Sequence, residues 1–128
     1  MKLRYKDAIR AQNTLKGILN EPFSIIVRDA AIQRFEYTFE ALWKFLKEYL
    51  KEKEGVACHS PKSCFREAFS TGLLSEDETV KFLEMTDDRN MTSHTYKEEV
   101  SQILYGKMRD YCGLIEIFMM HIENKMPD

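Results

Sequence analysis

At 128 residues, with 44% apolar and 31% charged residues, the chain has enough material for one packed domain over residues 1–128 without metal or disulfide support. Five glycines and three prolines leave little for the many tight turns of an all-β fold, so the composition points to helices. A formal net charge of −2 excludes a chain-wide electrostatic magnet for nucleic acid, and any RNA contact must be local or shared with a partner.

In chain order, Tyr5, Ala8, Leu15 and Leu19 fall near a helical stripe over about 3–19, interrupted by the polar Gln12 and ended by Asn20 and Pro22. A long helix follows, in which Ile25, Ile32, Phe35, Phe39, Leu42, Leu46 and Tyr49 recur in steps of three and four, with Arg28 the single exception. Run from 25 to 53, it extends about 40 Å and sets the length of the bundle. Trp43, Phe45 and Leu50 widen its apolar face, which demands more than one neighbour. Glu40 and Lys44 form an attractive pair four apart, Lys47 and Lys51 a repulsive one, and the charged run 47–54 reads as a solvated face without a basic stripe. Gly55 stops this helix.

Ser60-Pro61 is a helix opening, with serine at the N-cap and proline at the first turn, after which Phe65, Ala68 and Phe69 are expected to face inward. Gly72 suits the position just past the helix end, and Leu73 and Leu74 return to the core. Ser75 with Glu78 makes a capping box for a fourth helix, aided by Glu76 and Asp77 in its first turn. Thr95 with Glu98 makes a second box for a final helix carrying Val100, Ile103, Leu104, Tyr111, Leu114, Ile115, Phe118 and Ile122. Residues 123–128 have little apolar content and are expected to fray. His121 reads as a surface or packing histidine, and Met119, Met120 and Met126 as gap-filling core or interface. The expected architecture is all-α, an antiparallel up-and-down bundle of four to five helices.

Cys58, Cys64 and Cys112 are odd in number, follow no signal peptide and show no disulfide framework, so free thiols in a cytoplasmic protein are expected. Cys58, His59 and Cys64 lack the paired spacing of a zinc site, and neither metal nor cofactor is expected. The apolar run 114–120 is short and broken by Glu116, far from a membrane span.

Between the last two helices lies Asp88-Arg89-Asn90-Met91-Thr92-Ser93-His94-Thr95-Tyr96, a composition no core needs. Arg89, His94 and Tyr96 match the R-x4-H-x-Y signature of HEPN-domain proteins. The run 29–40, with Trp43-Lys44 and 47–50, resembles the long second helix of the HEPN branch encoded beside a minimal nucleotidyltransferase. Ser60-Pro61, 66–69 and 72–74 resemble its next segment, so the likeness covers about residues 25 to 105. One departure is Phe82, where that branch usually holds a tryptophan before the motif.

In one continuous helix Arg89 and Tyr96 would share a face while His94 pointed away, so either the backbone turns near 93–95 or a second copy completes the set. The resemblance implies the second, a homodimer with both motifs in one cleft. It implies a metal-independent endoribonuclease toxin restrained by a partner minimal nucleotidyltransferase, with Arg89 and His94 catalytic. Histidine supplies the base and acid for phosphodiester cleavage, arginine clamps the phosphate oxygens bidentately, and Asn90 orients phosphate or imidazole. The resemblance also implies that AMP is transferred to the motif tyrosine, here Tyr96. The alternative function is a non-catalytic subunit presenting a nucleotide or other substrate to a separate nucleotidyltransferase, which the acidic balance favours. A residue-level alternative has Arg89 paired with Asp87, Asp88 or Glu98 and His94 capping a helix end.

Overall fold

The computed structural model describes residues 1–126 and is helical throughout: α1 Lys2–Leu19, α2 Ile25–Glu54, α3 Pro61–Ser70, α4 Glu76–Met91, a 3-10 turn Thr92–His94, and α5 Glu98–Glu123. The sense of each helix follows from its contacts. Along α1 and α2, Arg4 meets Glu48 and Thr14 meets Tyr37; along α1 and α5, Gln12 meets Cys112 and the Leu19 carbonyl meets Arg109. Both pairs are antiparallel. On α4, Phe82 lies against Phe118 and Asp88 against Tyr111, so α4 is antiparallel to α5. Four helices therefore alternate in direction, as the sequence leads one to expect.

The fifth helix, α3, is an addition to that frame. Phe65 packs on Phe39, while Thr71, Gly72 and Leu73 border a small cavity with Tyr49 and Glu54 at the far end of α2. Thus α3 runs in the same sense as α2, and residues 55–60 are the return strap. Gly55 makes the strap possible: it ends α2 at φ 66°, a left-handed conformation that L side chains rarely adopt. Ser60 caps α3, forming a box with Ser63, and Ser75 caps α4 through its box with Glu78.

Phenylalanines dominate the centre. Phe35, Phe39, Phe45, Phe65, Phe82 and Phe118 are all essentially inaccessible, and Phe82 joins three helices by stacking on Phe65 at 4.8 Å and meeting Phe118 edge-on at 5.5 Å. The polar Gln12 is accommodated inside because its amide donates to the Cys112 sulfur at 3.5 Å. Burial pushes the Cys112 thiol above its ordinary range.

Several expectations are corrected. Cys58 and Cys64 are bonded to each other, with only Cys112 free. The strap folds Cys58 back onto the first turn of α3, bringing the two α-carbons to 5.2 Å, a proximity that six residues of separation did not reveal. Phe69 is 46% exposed and Ile103 61% exposed, rather than core. Met119 is buried, Met126 packs partly against the core and Met120 faces out, and the expectation for the chain end falls partly on residues 127–128, outside those described.

The second capping box does not form. Thr95 stays in a helical conformation and donates to the Thr92 carbonyl, and Lys97 becomes the N-cap of α5 without a side-chain bond. Glu98 instead accepts from the buried Arg28, which also holds Asp29 at 3.0 Å. The exception in the α2 stripe is thus the clamp that fixes the start of α5.

Candidate active site

The last turn of α4 carries the arginine of the motif, and each acidic neighbour of that arginine is engaged elsewhere. Asp87 pairs with Lys62 at 2.7 Å, and Asp88 accepts from Lys107 at 3.0 Å and from the Tyr111 hydroxyl. These contacts tie α4 to α3 and α5. The hydrogen bond to Asp88 holds Lys107 protonated above its usual range, and burial together with Asp88 pushes the Tyr111 phenol far up. Since Glu98 belongs to Arg28, none of the three acids of the alternative reading pairs with Arg89.

Arg89 is held from a different direction. Its Nη1 donates to Thr92 Oγ1 at 3.0 Å, and Thr92 Oγ1 donates in turn to the Arg89 carbonyl at 2.7 Å. Across the helix pair, Glu36 lies 3.9 Å and Glu40 3.7 Å from the guanidinium, too far for hydrogen bonds but close enough to hold the charge in place. The buried Nε has no hydrogen-bond partner among the described residues. Thr92, itself buried, is a positioning residue the sequence reading passed over; its only signal was a hydroxyl three positions beyond an arginine at a helix end. Glu36 and Glu40 stand one turn apart on α2, a spacing that by itself does not point to Arg89.

The backbone then turns through Thr92–His94, so the single continuous helix is excluded. His94 ends the turn, exposed, and its carbonyl accepts from the Lys97 amide. Its ring lies 6.1 Å from that of Tyr96, which is 77% exposed with the Lys97 ammonium 5.9 Å over its face. Asn90 is exposed, and its carbonyl accepts from Ser93 Oγ. Within one chain, therefore, His94 is grouped with Tyr96, while Arg89 is grouped with Thr92 and the acids of α2.

Removing the Tyr111 hydroxyl tests how firmly this junction is set. Tyr111→Phe deprives the half-buried Asp88 of a donor and is expected to cost about 1–2 kcal/mol in denaturant unfolding, without loss of helical signal.

Residues 3–124 match the model of a family described as nucleotidyltransferase substrate binding protein like. The chain belongs to this family. It is similar to a probable ribonuclease HepT of Haemophilus influenzae, 32% identical over 85 residues, a match covering 63% of this chain and 57% of that relative. The matched region thus spans just over half the length of the curated relative. A solved protein of Thermus thermophilus is 47% identical, covering 88% of this chain and 95% of that one, with a TM-score of 0.84. The tri-AMPylated HEPN toxin of Shewanella oneidensis, solved in complex with its MNT antitoxin, is 14% identical with 94% of both chains covered and a TM-score of 0.77, a likeness of fold. The substrate-binding family's helical bundle is thereby the fold of this chain, and no helix among the described residues is long and apolar enough to cross a membrane.

Proposed function

We propose that this chain is a toxin of the HEPN type, a metal-independent endoribonuclease restrained by a partner minimal nucleotidyltransferase. The observation that carries the reading is the placing of His94 and Tyr96, ring beside ring and exposed, one 3-10 turn beyond a restrained Arg89. The kinship with a probable ribonuclease supports it. Because Arg89 and His94 are held in separate groups within one protomer, two copies complete the site across a two-fold axis. An unpartnered face of α5 suits that pairing: Ile103, Gly106, Gly113, Ile117 and Met120 recur in three- and four-residue steps around Asp110, with the isoleucines and Met120 over 60% exposed.

In the shared cleft one His94 removes the 2′-hydroxyl proton, the 2′-oxygen attacks phosphorus, and the second His94 protonates the departing 5′-oxygen. Arg89 stabilises the charge that builds on the non-bridging oxygens, and Asn90 orients phosphate or imidazole. The products are a 2′,3′-cyclic phosphate and a 5′-hydroxyl.

Tyr96 is the control point. Its phenol attacks the α-phosphorus of ATP on the partner enzyme, pyrophosphate leaves, and the proton passes to solvent or to a base of that enzyme. The resulting anionic phosphodiester lies beside His94 and competes with RNA phosphate for Arg89. Expressed alone the chain is expected to arrest growth, and co-expression with the partner to relieve the arrest with AMP-sized mass additions that disappear in Tyr96→Phe. Relief by the partner with an unmodified mass contradicts the covalent switch.

A second reading, a non-catalytic subunit presenting a nucleotide or other substrate to the transferase, is favoured by one observation: Arg89 already faces two carboxylates. It predicts no growth arrest by the chain alone.

A further inference from the structure

Charge is distributed unevenly in this slightly acidic protein. Helix α1 carries five cations against the single carboxylate Asp7, and its Arg4 lies beside Lys44, Lys47 and Lys51 of α2. Together with Trp43 and Glu48 these line an open groove of about 300 Å³ between the two helices. The one carboxylate in the groove, Glu48, is occupied by Arg4 at 3.2 Å and by the Met1 ammonium at 2.6 Å. That pairing holds the Glu48 carboxyl below its usual range, leaving the three lysines as surplus positive charge. Lys47 and Lys51 make no ion pair among the described residues, and Lys44 reaches Glu40 only at 4.0 Å. The basic strip absent from the sequence reading is thus assembled from two helices.

The groove also holds the only tryptophan of the chain. Trp43 is half-buried, with the Lys47 ammonium 6.0 Å over its ring, and its indole N–H donates to Glu40 at 3.1 Å. Glu40 is the residue 3.7 Å from Arg89. A track of contacts therefore leads from Arg89 through Glu40 to the indole and on to the lysines.

We propose that the α1–α2 groove is a docking subsite for single-stranded RNA, in which a base stacks on Trp43 and Lys44, Lys47 and Lys51 hold the backbone phosphates, feeding the strand toward Arg89. The inference rests on the ribonuclease reading and adds to it a place for the strand outside the motif. An aromatic face flanked by flexible cations is the arrangement that binds single strands without base readout, because every base has a face to stack and every nucleotide a phosphate to neutralise. The groove favours nucleic acid over an acidic protein because its cations surround an aromatic platform. It favours a single strand over a duplex because a paired base is not free to stack.

The lone indole makes the test direct. Wild-type protein is titrated with a single strand of 2′-O-methyl RNA about 12 nucleotides long, which cannot be cleaved because its nucleophile is blocked. Tryptophan fluorescence and strand anisotropy are followed across a range of salt. The expected result is quenched emission on binding, affinity at least about tenfold weaker in Lys44→Gln/Lys47→Gln/Lys51→Gln, and a salt slope smaller by about 2 in that variant. Trp43→Ala is expected to weaken binding about tenfold, with the lysine variant deciding the matter if the tryptophan variant fails to fold. Binding with unchanged emission and unchanged affinity in the lysine variant would overturn the subsite. So would absence of binding, or equal quenching by polyglutamate, which would assign the groove to an acidic protein. Cleavage of unmodified RNA by the same preparation is measured in parallel: if it persists while the groove result is negative, the ribonuclease reading stands and only the subsite fails.

Discussion

Replacing Phe82 by alanine is expected to lower unfolding free energy by about 3–5 kcal/mol, the largest stability loss from any single truncation near the site. The ring is wholly buried at the point where α3, α4 and α5 converge, stacked on Phe65 at 4.8 Å and edge-on to Phe118 at 5.5 Å. Truncation removes apolar transfer energy, two aromatic contacts and their packing at once, and the neighbouring rings are too tightly held to fill the space. For a domain of this size such a loss lowers Tm by roughly 10–20 °C. Thermal melts followed by circular dichroism measure it, and a fall of less than about 3 °C would contradict the central placing of this ring. Because α4 carries Arg89 about two turns beyond the core contacts of Phe82, partial loosening should also reduce activity before the fold is lost.

Much of the fold was legible because its signals are local and repeated. The α2 pattern sets its extent to within a residue, 25–53 expected and Ile25–Glu54 found, since apolar periodicity and a terminal glycine act together. Ser60 and Ser75 cap as read, because their side chains need only the amides of the next turn. Thr95 failed for a reason outside the local window. Its partner Glu98 is claimed by Arg28, 70 residues earlier, and a charged hydrogen bond outcompetes a neutral cap. Separation in sequence likewise hid Glu36 and Glu40 from Arg89, and Lys62 from Asp87. Phe69 and Ile103 were misjudged because an apolar residue at the edge of a stripe can face either way. The motif residues stand out through their resemblance to the R-x4-H-x-Y signature, whereas their grouping into His94 with Tyr96 and Arg89 with Thr92 depends on a turn that no periodicity announces.

The largest effect on activity is expected at the motif. In the mechanism proposed above, His94→Ala removes the proton-transferring imidazole, and general acid–base chemistry accounts for about 10²–10⁴ in rate. With two copies sharing one cleft, as proposed, the expected loss approaches the upper end. Arg89→Ala, which in that mechanism removes the charge at the phosphorane-like transition state, is expected to cost about 10²–10³ in kcat, with little change in Tm. Arg89→Lys should recover only part of it, because an ammonium lacks the planar fork that grips two oxygens. Stability should hold because Arg89 makes one side-chain hydrogen bond, to Thr92, and two long ionic contacts rather than filling the core. A rate unchanged in either alanine variant would remove that residue from the chemistry.

In the proposed function this chain alone, as a pair of protomers, cleaves RNA without a metal. The most direct measurement incubates the purified dimer fraction with single-stranded RNA in excess EDTA and identifies the new ends by mass. The expected result is 2′,3′-cyclic phosphate and 5′-hydroxyl ends, formed by the wild type and reduced at least about a hundredfold in His94→Ala. Intact RNA after incubation with the wild type, or equal cleavage by wild type and His94→Ala, would contradict it.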